Sequence, residues 1–369
     1  MLEYDVVVIG GGVMGAALAW GMAGEDRRVG VLDGADLDPR ASRANLGLVW
    51  VSGKGLDAPA YALWSRDAAL RWPQLAALLQ AETGIDVGLQ QPGGFSFALS
   101  EVELERQAER LANIARHTAG GLSAYEVLDR SETRARVPAI GPAVVGATFC
   151  PHDGHVNALR LLQALHAGMA HRRVVYRARH AVDHIEPLAE GFCLHGPWGR
   201  VTTAKVVLAA GLDNARLAPM IGLQAPLVRS KGQIVVTEKC PPFFSQVAGT
   251  LRQTDEGSVL IGESEQTDTD SWAVNSDISA VLAQRAVQMF PRIGDLNVVR
   301  IWTGFRVKTS DGLPIYDQSV RHPGAFLMLG HSGVSLTAAH ALQVAPQILA
   351  GQLQPELSVF ATSRFQEIP

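Results

Sequence analysis

The first thirty-three residues contain the pattern that most limits what this chain can fold into. Residues 3–9, EYDVVVI, are mostly apolar, which predicts a strand of a parallel sheet covered on both faces. The glycine-rich turn GGGVMG follows at residues 10–15. Residues 16–23 then predict a helix, and residues 28–32 predict a second strand that ends at Asp33. Strand, turn, helix, strand and acid in this order predict a dinucleotide-binding unit.

The residues of this turn suit the binding of a pyrophosphate. Gly10 permits the tight turn out of the strand, and Gly12 has no side chain to keep a pyrophosphate from the backbone. Gly15 allows the helix to pack closely on the strand. The N–H groups at the helix N-terminus then face the phosphates, and Val13 and Met14 of the turn are expected to bind the cofactor as well.

Asp33 lies at the tip of the second strand, where an acid accepts hydrogen bonds from ribose hydroxyls. An acid at this position disfavours the 2′-phosphate of NADP, so FAD and NAD remain as candidates. A nicotinamide-dependent enzyme and a merely structural glycine turn are the alternatives that this segment leaves open.

Composition and charge exclude several other classes. The chain has 369 residues, which suggests two domains. Its net charge is −4 and it has no basic stripe, which argues against nucleic acid as a partner. Cys150, Cys193 and Cys240 are far apart and form no CxxC pair, so we expect no zinc or iron–sulfur site within the chain.

The histidines in the middle of the chain show no metal-binding pattern. They have no regular spacing, so we predict solvated or core histidines and no metal site. The residues concerned are His152, His155, His171, His180, His184 and His195.

The apolar segments predict neither export nor membrane insertion. Glu3 and Asp5 interrupt the start of the chain, unlike the basic residues of a secretory signal. Other apolar segments are short or carry charges, so no membrane span is expected. We expect a cytoplasmic location, with peripheral attachment at the inner membrane face through partner subunits as a further option.

Nucleotide-type strand-to-helix units occur at the start, in the middle and at the end of the chain. Residues 205–210 form the second apolar strand, and residues 325–329 form the last one, followed by a predicted helix over residues 334–349. Residues 226–237, 248–253 and 258–262 alternate as antiparallel strands do.

We therefore predict an α/β fold: a Rossmann-like domain with an inserted antiparallel β-sheet substrate domain of α+β type. The predicted nucleotide domain comprises residues 1–85, 145–215 and 308–369, and the predicted substrate domain comprises residues 86–144 and 216–307.

Four segments in this order resemble those of the D-amino-acid oxidase-like flavoenzymes, which include glycine oxidase, sarcosine oxidase and multi-subunit dehydrogenases. The segments are GGGVMG with Asp33, ASRANLG at residues 41–47, VLAAG at 207–211, and WTGFR at 302–306 with DGLP at 311–314 and Gly330-His331. Residues 45–55, NLGLVWVSGKG, are most similar to β subunits of opine oxidases or dehydrogenases, with D-hydroxyproline dehydrogenase β subunits as close neighbours.

The resemblance implies a substrate-binding role for Arg306, which in glycine-oxidase-like enzymes binds the substrate carboxylate. A guanidinium pairs two carboxylate oxygens at once. The alternative is a structural arginine that ties a loop. Trp50 and Lys54 are expected to line the substrate side, with a solvated loop as their alternative.

The resemblance also implies a set of FAD-binding residues. The last glycine turn is expected to present backbone N–H groups at the pyrimidine edge of the flavin, where negative charge develops, unless it is an ordinary helix start. Ser42, Arg43 and Asn45 are expected to meet the pyrophosphate and isoalloxazine, unless they belong to a polar surface loop. Val182 is expected to offer backbone groups to adenine. The FAD-binding residues beyond the first turn are Ser42, Arg43, Asn45, Leu46, Gly47, Val182, Ala210, Gly211, Gly304, Arg306, Gly330, His331, Ser332, Gly333, Val334, Ser335 and Leu336.

The implied reaction is hydride transfer from the carbon next to nitrogen to flavin N5, giving an imine that water hydrolyses to a 2-oxo acid and an amine. The substrate would be an opine such as octopine or nopaline, or a D-amino acid. D-hydroxyproline dehydrogenase and glycine or sarcosine oxidase chemistry are alternatives. A flavin-binding electron-relay subunit and a tRNA-modifying flavoprotein belong to other classes.

Two absences favour a dehydrogenase with non-covalent FAD. Sarcosine oxidases carry an oxygen-activating lysine on the strand that resembles residues 257–262, where Leu260 stands instead, and they attach FAD to a late cysteine. No cysteine follows Cys240. The electron acceptor would then be a multi-subunit complex, with α and γ partner subunits that carry an iron–sulfur cluster and with FMN at a subunit interface.

Overall fold

The computed structural model describes residues 2–34, 41–118 and 125–365. The strands are β1 (Tyr4–Ile9), β2 (Val29–Leu32), β3 (Leu48–Val49), β4 (Gly94–Ala98), β5 (Glu126–Asp129), β6 (Gly146–Cys150), β7 (Gly154–His155), β8 (Val175–Arg177), β9 (His184–Pro187), β10 (Phe192–Gly196), β11 (Gly199–Leu208), β12 (Leu227–Val228), β13 (Lys231–Lys239), β14 (Val247–Ala248), β15 (Leu251–Gln253), β16 (Ser258–Ile261), β17 (Val298–Phe305), β18 (Lys308–Thr309), β19 (Ile315–Gln318) and β20 (Ala325–Leu329).

The α-helices are α1 (Val13–Met22), α2 (Pro59–Thr83), α3 (Glu101–His117), α4 (Arg130–Arg136), α5 (Ala158–His171), α6 (Asn214–Leu217), α7 (Ser276–Met289), α8 (Thr337–Ala339) and α9 (Ala345–Ala350). A π-helical segment, His340–Val344, joins the last two. No helix in the described ranges is long and apolar enough to cross a membrane.

The largest sheet carries the nucleotide-type units. Its parallel strands lie in the order β20, β11, β1, β2, β8, with β19 antiparallel at the outer side of β20. Because β1, β11 and β20 are parallel neighbours, their carboxyl ends meet at one edge. A Cβ added to Gly10 would lie 2.4 Å from the carbonyl oxygen of Ala209, so the turn after β1 touches the turn after β11 at this edge.

Apolar clusters cover both faces of this sheet. One contains α1, α2 and α5 around Trp20, Trp72 and Leu165, and the other contains Leu194, Leu217 and Ile221. Burial on both faces explains why β1 and β20 are nearly continuous apolar segments in the sequence. The predicted Rossmann-like α/β class is confirmed.

Two smaller sheets form the second layer. One has the antiparallel order β15, β16, β13, β17, and the other has the order β14, β4, β6, β5. They share a core with α7 that contains the rings of Phe95, Phe97 and Phe290. The inserted domain is predicted to have an antiparallel sheet. In the sheet that contains β4 the pairing of β14 with β4 is parallel, so that sheet is antiparallel only in part.

The predicted domain boundaries stay a prediction, and strand pairing bears on the one at residue 145. That boundary assigns β6 to the nucleotide domain, but β6 pairs with both β4 and β5 of the second layer. The helix predicted from residue 334 begins at Thr337, and residues 333–336 form a turn in which the Leu336 N–H donates to the Ser332 carbonyl at 3.0 Å. The π-helical segment packs on Gly21, where a Cβ would lie 2.1 Å from the Ala341 carbonyl oxygen.

A buried histidine in this last helix predicts a pH-dependent stability. Burial lowers the pKa of His340 to about 3, and its Nε2 lies 2.9 Å from the Tyr316 hydroxyl. An unfolded histidine titrates near 6.5, so as pH falls the unfolded chain takes up a proton that the folded chain does not. Below that pH this group lowers the free energy of unfolding by about 1.4 kcal/mol per pH unit.

We expect His340→Gln, which keeps a hydrogen-bonding group for Tyr316, to flatten that dependence. Between pH 6 and 4.5 its free energy of unfolding should fall less steeply than that of the unaltered chain, by about 1.4 kcal/mol per pH unit. Denaturant titrations at several pH values measure both slopes, with exposed His171→Gln as control. Parallel slopes for His340→Gln and the unaltered chain would contradict the prediction.

Candidate active site

The first glycine turn is shaped for an anion. Val13 N–H donates to the Ser42 hydroxyl at 3.0 Å, and a Cβ on Gly12 would meet that same oxygen at 2.9 Å and no backbone atom. Within the described ranges, no hydrogen bond involves the N–H groups of Gly11, Gly12 and Met14. Unused N–H groups around a glycine at the start of α1 fit the pyrophosphate of FAD.

Gly15 is at the close contact between α1 and β1. A Cβ there would lie 1.9 Å from the Gly10 carbonyl oxygen, which is an impossible distance. The glycine therefore sets how closely the helix N-terminus approaches the end of the strand.

Asp33 is buried at the end of β2, with an exposed fraction of 5%. Its carboxylate accepts hydrogen bonds from Gly34 N–H at 3.1 Å and from the Tyr176 hydroxyl at 2.8 Å. Tyr176 comes from β8, the next parallel strand, and no local pattern in the sequence marks it. The position of Asp33 beside the turn suits a ribose hydroxyl.

The loop of residues 41–47 is organised by Asn45. Its side-chain N–H groups donate to the carbonyls of Ala41 and Ser42, and its Oδ1 accepts from Gly47 N–H at 2.8 Å. The Asn45 side chain thus shapes the loop. Arg43 is exposed, and Leu46 packs against a small apolar cluster on the second layer.

Other predicted cofactor residues lie at the sheet edge or beside this loop. Val182 is buried, and its carbonyl accepts from Arg216 Nη2 at 2.8 Å. Ala210 N–H donates to the Asn214 side chain at 3.0 Å, and Gly211 has a φ of 62°. Gly304 faces the loop, since a Cβ there would lie 3.1 Å from the Ala44 methyl group.

Two serines join the last glycine turn to the loop after β3. The Ser332 hydroxyl accepts from Lys54 Nζ at 2.7 Å and makes a hydrogen bond with the Tyr61 hydroxyl at 2.8 Å. The Ser335 hydroxyl accepts from Trp50 N–H at 3.0 Å. The fold thus brings Lys54 and Trp50 against a turn nearly three hundred residues away in sequence.

The N–H groups of the last glycine turn differ in whether they make a hydrogen bond. Within the described ranges, no hydrogen bond involves the N–H groups of Gly333, Val334 and Ser335, whereas Leu336 N–H is engaged by Ser332. A Cβ on Gly333 would meet no atom within 4 Å, so the backbone faces open space. This geometry fits the electron-rich edge of a flavin.

A buried carboxylate holds the loop that carries Trp50 and Lys54. Asp153 is fully buried and accepts from Val51 N–H at 2.6 Å and Ser52 N–H at 3.0 Å, and burial raises its pKa to about 6. The sequence offers no local signal for this role, because the partners are about a hundred residues apart.

Arg306 follows β17 and is held by the second layer. Its Nη2 donates to the Ser264 carbonyl at 2.8 Å and its Nη1 lies 3.4 Å from the Ser230 hydroxyl. The guanidinium lies against Gly232, where a Cβ would come within 2.9 Å of it. Burial lowers its pKa, while Glu265 and Glu263 raise it. A cavity of about 260 Å³ opens beside Arg306.

His331 lies beside the contact between Lys54 and the last turn, since its Nε2 is 3.4 Å from the Ser332 hydroxyl. Although its side chain is exposed to solvent, desolvation is the largest cause that lowers its pKa, followed by the charges of Lys54, Arg306 and Lys308. The charges of the loop after β3 and of the end of β17 therefore act on the last turn.

Three side chains outside this site bear on the prediction that the histidines bind no metal. Glu186, Cys193 and His195 have potential ligand atoms within 4.8 Å of one another. His195 Nε2 lies 3.0 Å from Glu186 across the β9–β10 pair, which accounts for the approach without an ion. Burial raises the pKa of Cys193, which disfavours the thiolate a metal needs. The absence of a metal site stays a prediction.

The family of the chain follows from its similarity to known proteins. The family described as FAD dependent oxidoreductase matches residues 5–345. The chain is 57% identical to the B subunit of opine oxidase from Agrobacterium tumefaciens (strain Ach5) and 55% identical to the B subunit of opine oxidase from Rhizobium meliloti. Each alignment covers 99% of this chain and 98% of the relative.

A solved structure agrees as well. The crystal structure of glycine oxidase from Geobacillus kaustophilus superimposes with a TM-score of 0.88 at 28% sequence identity, covering 98% of both chains. The predicted resemblance to this group of flavoenzymes is confirmed.

Proposed function

The chain belongs to the family of FAD dependent oxidoreductases, and on that premise we propose that it dehydrogenates the C–N bond of an opine such as octopine or nopaline. The product would be an imine, which water hydrolyses to a 2-oxo acid and an amine. The high identity to opine oxidase B subunits over the full length supports this choice over D-amino acids, D-hydroxyproline and sarcosine.

The observation that carries the proposal is the contact of Lys54 with the last glycine turn, whose His331 also feels the charge of Arg306. Arg306 would bind a substrate carboxylate with two parallel hydrogen bonds. Lys54 adds a second cation, which suits an opine because opines carry more than one carboxylate.

When bound, FAD supplies the acceptor for the hydride that leaves the carbon next to nitrogen. Arg306 orients that carbon by fixing the carboxylate, and the N–H groups of residues 333–335 provide a positive edge for negative charge. His331 is kept neutral by burial, so it adds no cation to the cleft. Leu46 of the loop at residues 41–47 and Trp302 pack on the same small apolar cluster and would help to exclude water.

We propose a dehydrogenase rather than an oxidase. Leu260 is buried in an apolar cluster with Ile234 and Val236, where it offers no cation to activate oxygen. The similarity to opine oxidase B subunits supports a multi-subunit enzyme. Our proposal includes α and γ partners with an iron–sulfur cluster, FMN at a subunit interface, and a cytoplasmic location or one at the inner membrane face through those partners.

The purified chain should be yellow, and acid or heat should release its FAD. With octopine or nopaline it should reduce an artificial dye at least about tenfold faster than it reduces oxygen, since the protein would lack the group that activates oxygen. D-hydroxyproline, sarcosine and D-alanine complete the panel. A colourless protein, or one that oxidises sarcosine or D-alanine in preference to opines, would rule the proposal out.

A further inference from the structure

Tyr61 places a buried hydroxyl against the last glycine turn. The residue lies in the first turn of α2 and is 3% exposed. Within the described ranges its hydroxyl makes one hydrogen bond, which joins it to the Ser332 hydroxyl at 2.8 Å. The ring packs edge-on against Phe360, with the ring centroids 6.2 Å apart. This packing does not require the hydroxyl, so what the hydroxyl does depends on Ser332.

The Ser332 hydroxyl has a neighbour for each of its hydrogen-bonding positions. It is buried, accepts from Lys54 Nζ at 2.7 Å and is bonded to the Tyr61 hydroxyl. The third neighbour is His331 Nε2, at 3.4 Å. A hydroxyl has two lone pairs and one proton, so three neighbours leave it little freedom to rotate. Tyr61 therefore helps to hold Ser332 in the orientation that receives Lys54.

Lys54 is held at both ends of its side chain. Its backbone N–H donates to the Val51 carbonyl at 3.1 Å, and the preceding Gly53 carbonyl accepts from Arg110 Nη2 at 2.7 Å. At the other end, Ser332 receives the ammonium. A lysine has a long flexible stem, so its charge has a defined position only where both ends are held. The Lys54 ammonium is thus preorganised beside the last turn.

The Lys54 ammonium has hydrogen-bonding capacity left for a ligand. It carries three protons, and one of them is donated to Ser332. In the part of the chain that the structure describes, it forms no ion pair with a carboxylate, although the residue is half-buried. A cation partly removed from water is stabilised by an anionic partner. A carboxylate of the substrate is a partner of this kind.

We propose that Tyr61 is a positioning residue: through Ser332 it holds the Lys54 ammonium to bind the second carboxylate of an opine, the one on the carbon that does not react. The inference rests on the proposed function, in which Arg306 binds the carboxylate of the reacting carbon. It narrows the substrate class to secondary amines with a carboxylate on each side of the nitrogen. An amino acid with one carboxylate would leave Lys54 without its partner.

The test compares two substrates that share the reacting carbon: octopine, and N-(1-carboxyethyl)agmatine, which lacks the second carboxylate. Full-length chain loaded with FAD is assayed by dye reduction. Lys54→Gln should lower kcat/KM for octopine by roughly 10–100-fold, mainly through KM, because a charge-assisted hydrogen bond is lost. Tyr61→Phe keeps the ring and should lower it by roughly 3–10-fold, as expected for one neutral hydrogen bond. The agmatine derivative should change by less than about twofold in either variant.

A double variant shows whether Tyr61 acts through Lys54. In a chain that already carries Lys54→Gln, Tyr61→Phe should change kcat/KM for octopine by less than about twofold. The control is Tyr4→Phe, which removes the hydroxyl of another buried tyrosine. Tyr4 lies at the start of β1, whereas the site lies at the carboxyl ends of the strands, so neither substrate should be affected. FAD content, the flavin absorption spectrum and thermal unfolding are measured for each variant.

The outcomes separate this inference from the function on which it rests. If the unaltered chain oxidises neither substrate, the proposed function fails and the inference fails with it. If it oxidises both equally well, the function stands and Lys54 binds no second carboxylate. The role of Tyr61 is overturned if Tyr61→Phe affects both substrates alike or neither, or if its loss multiplies with that of Lys54→Gln. A selective loss with octopine that disappears in the Lys54→Gln background supports it.

Discussion

Arg306→Ala, purified with its FAD, should lose kcat/KM for an opine by a factor of roughly 10²–10³. The guanidinium is held by Ser264 and Ser230 in a desolvated position, so it is preorganised for a carboxylate. Removing one partner of a buried, hydrogen-bonded charge pair costs about 3–4 kcal/mol, which corresponds to that factor. Steady-state kinetics by dye reduction measure the loss.

Two further variants test whether the loss depends on the guanidinium of Arg306. Arg306→Lys keeps the charge but loses the planar fork, so it should recover only part of the activity. Arg300→Ala, six residues earlier within β17 and exposed, should behave as the unaltered chain does. Unchanged turnover of Arg306→Ala at low substrate concentration would remove this residue from substrate binding.

Gly12→Val should separate folding from cofactor binding. The Cβ at this position meets only the Ser42 side chain, which can rotate, so the chain should still fold. The branched side chain would occupy the space beside the N–H groups of Gly11 and Met14. Losing about two charge-assisted hydrogen bonds to the pyrophosphate should weaken FAD binding by roughly 10²-fold or more.

Gly15→Ala should disrupt folding, in contrast to Gly12→Val, which should disrupt FAD binding alone. Its Cβ would lie 1.9 Å from the Gly10 carbonyl, a backbone atom that cannot move without separating α1 from β1. We expect the folded protein itself to be lost, since overpacking of this kind costs more than about 3 kcal/mol. Gly294→Ala, with ordinary contacts to Val287 at 3.5 Å, is the control.

Circular dichroism and fluorescence titration of apoprotein with FAD distinguish the two cases. A folded Gly12→Val protein that binds FAD as tightly as the unaltered chain would mean that the pyrophosphate does not lie at this turn. A stable, yellow Gly15→Ala protein would contradict the packing role of Gly15.

The sequence by itself determined the Rossmann-like unit and the family. The order of apolar strand, glycine turn, helix and acid is a local pattern, because each residue type is required by its own backbone geometry or by the neighbouring strand. The late glycine turn and the segment at residues 302–306 repeat that kind of local signal. The fold class was predictable for this reason.

The tertiary structure decided which side chains share the cleft. Lys54 and Ser332 are 278 positions apart, and their contact depends on how α2 packs beside the last turn. The roles of Asp153 and Tyr176 have no local pattern, because each acts through residues on other elements. Likewise, β6 joined the second layer because pairing partners, not its own residues, determine which sheet a short strand enters.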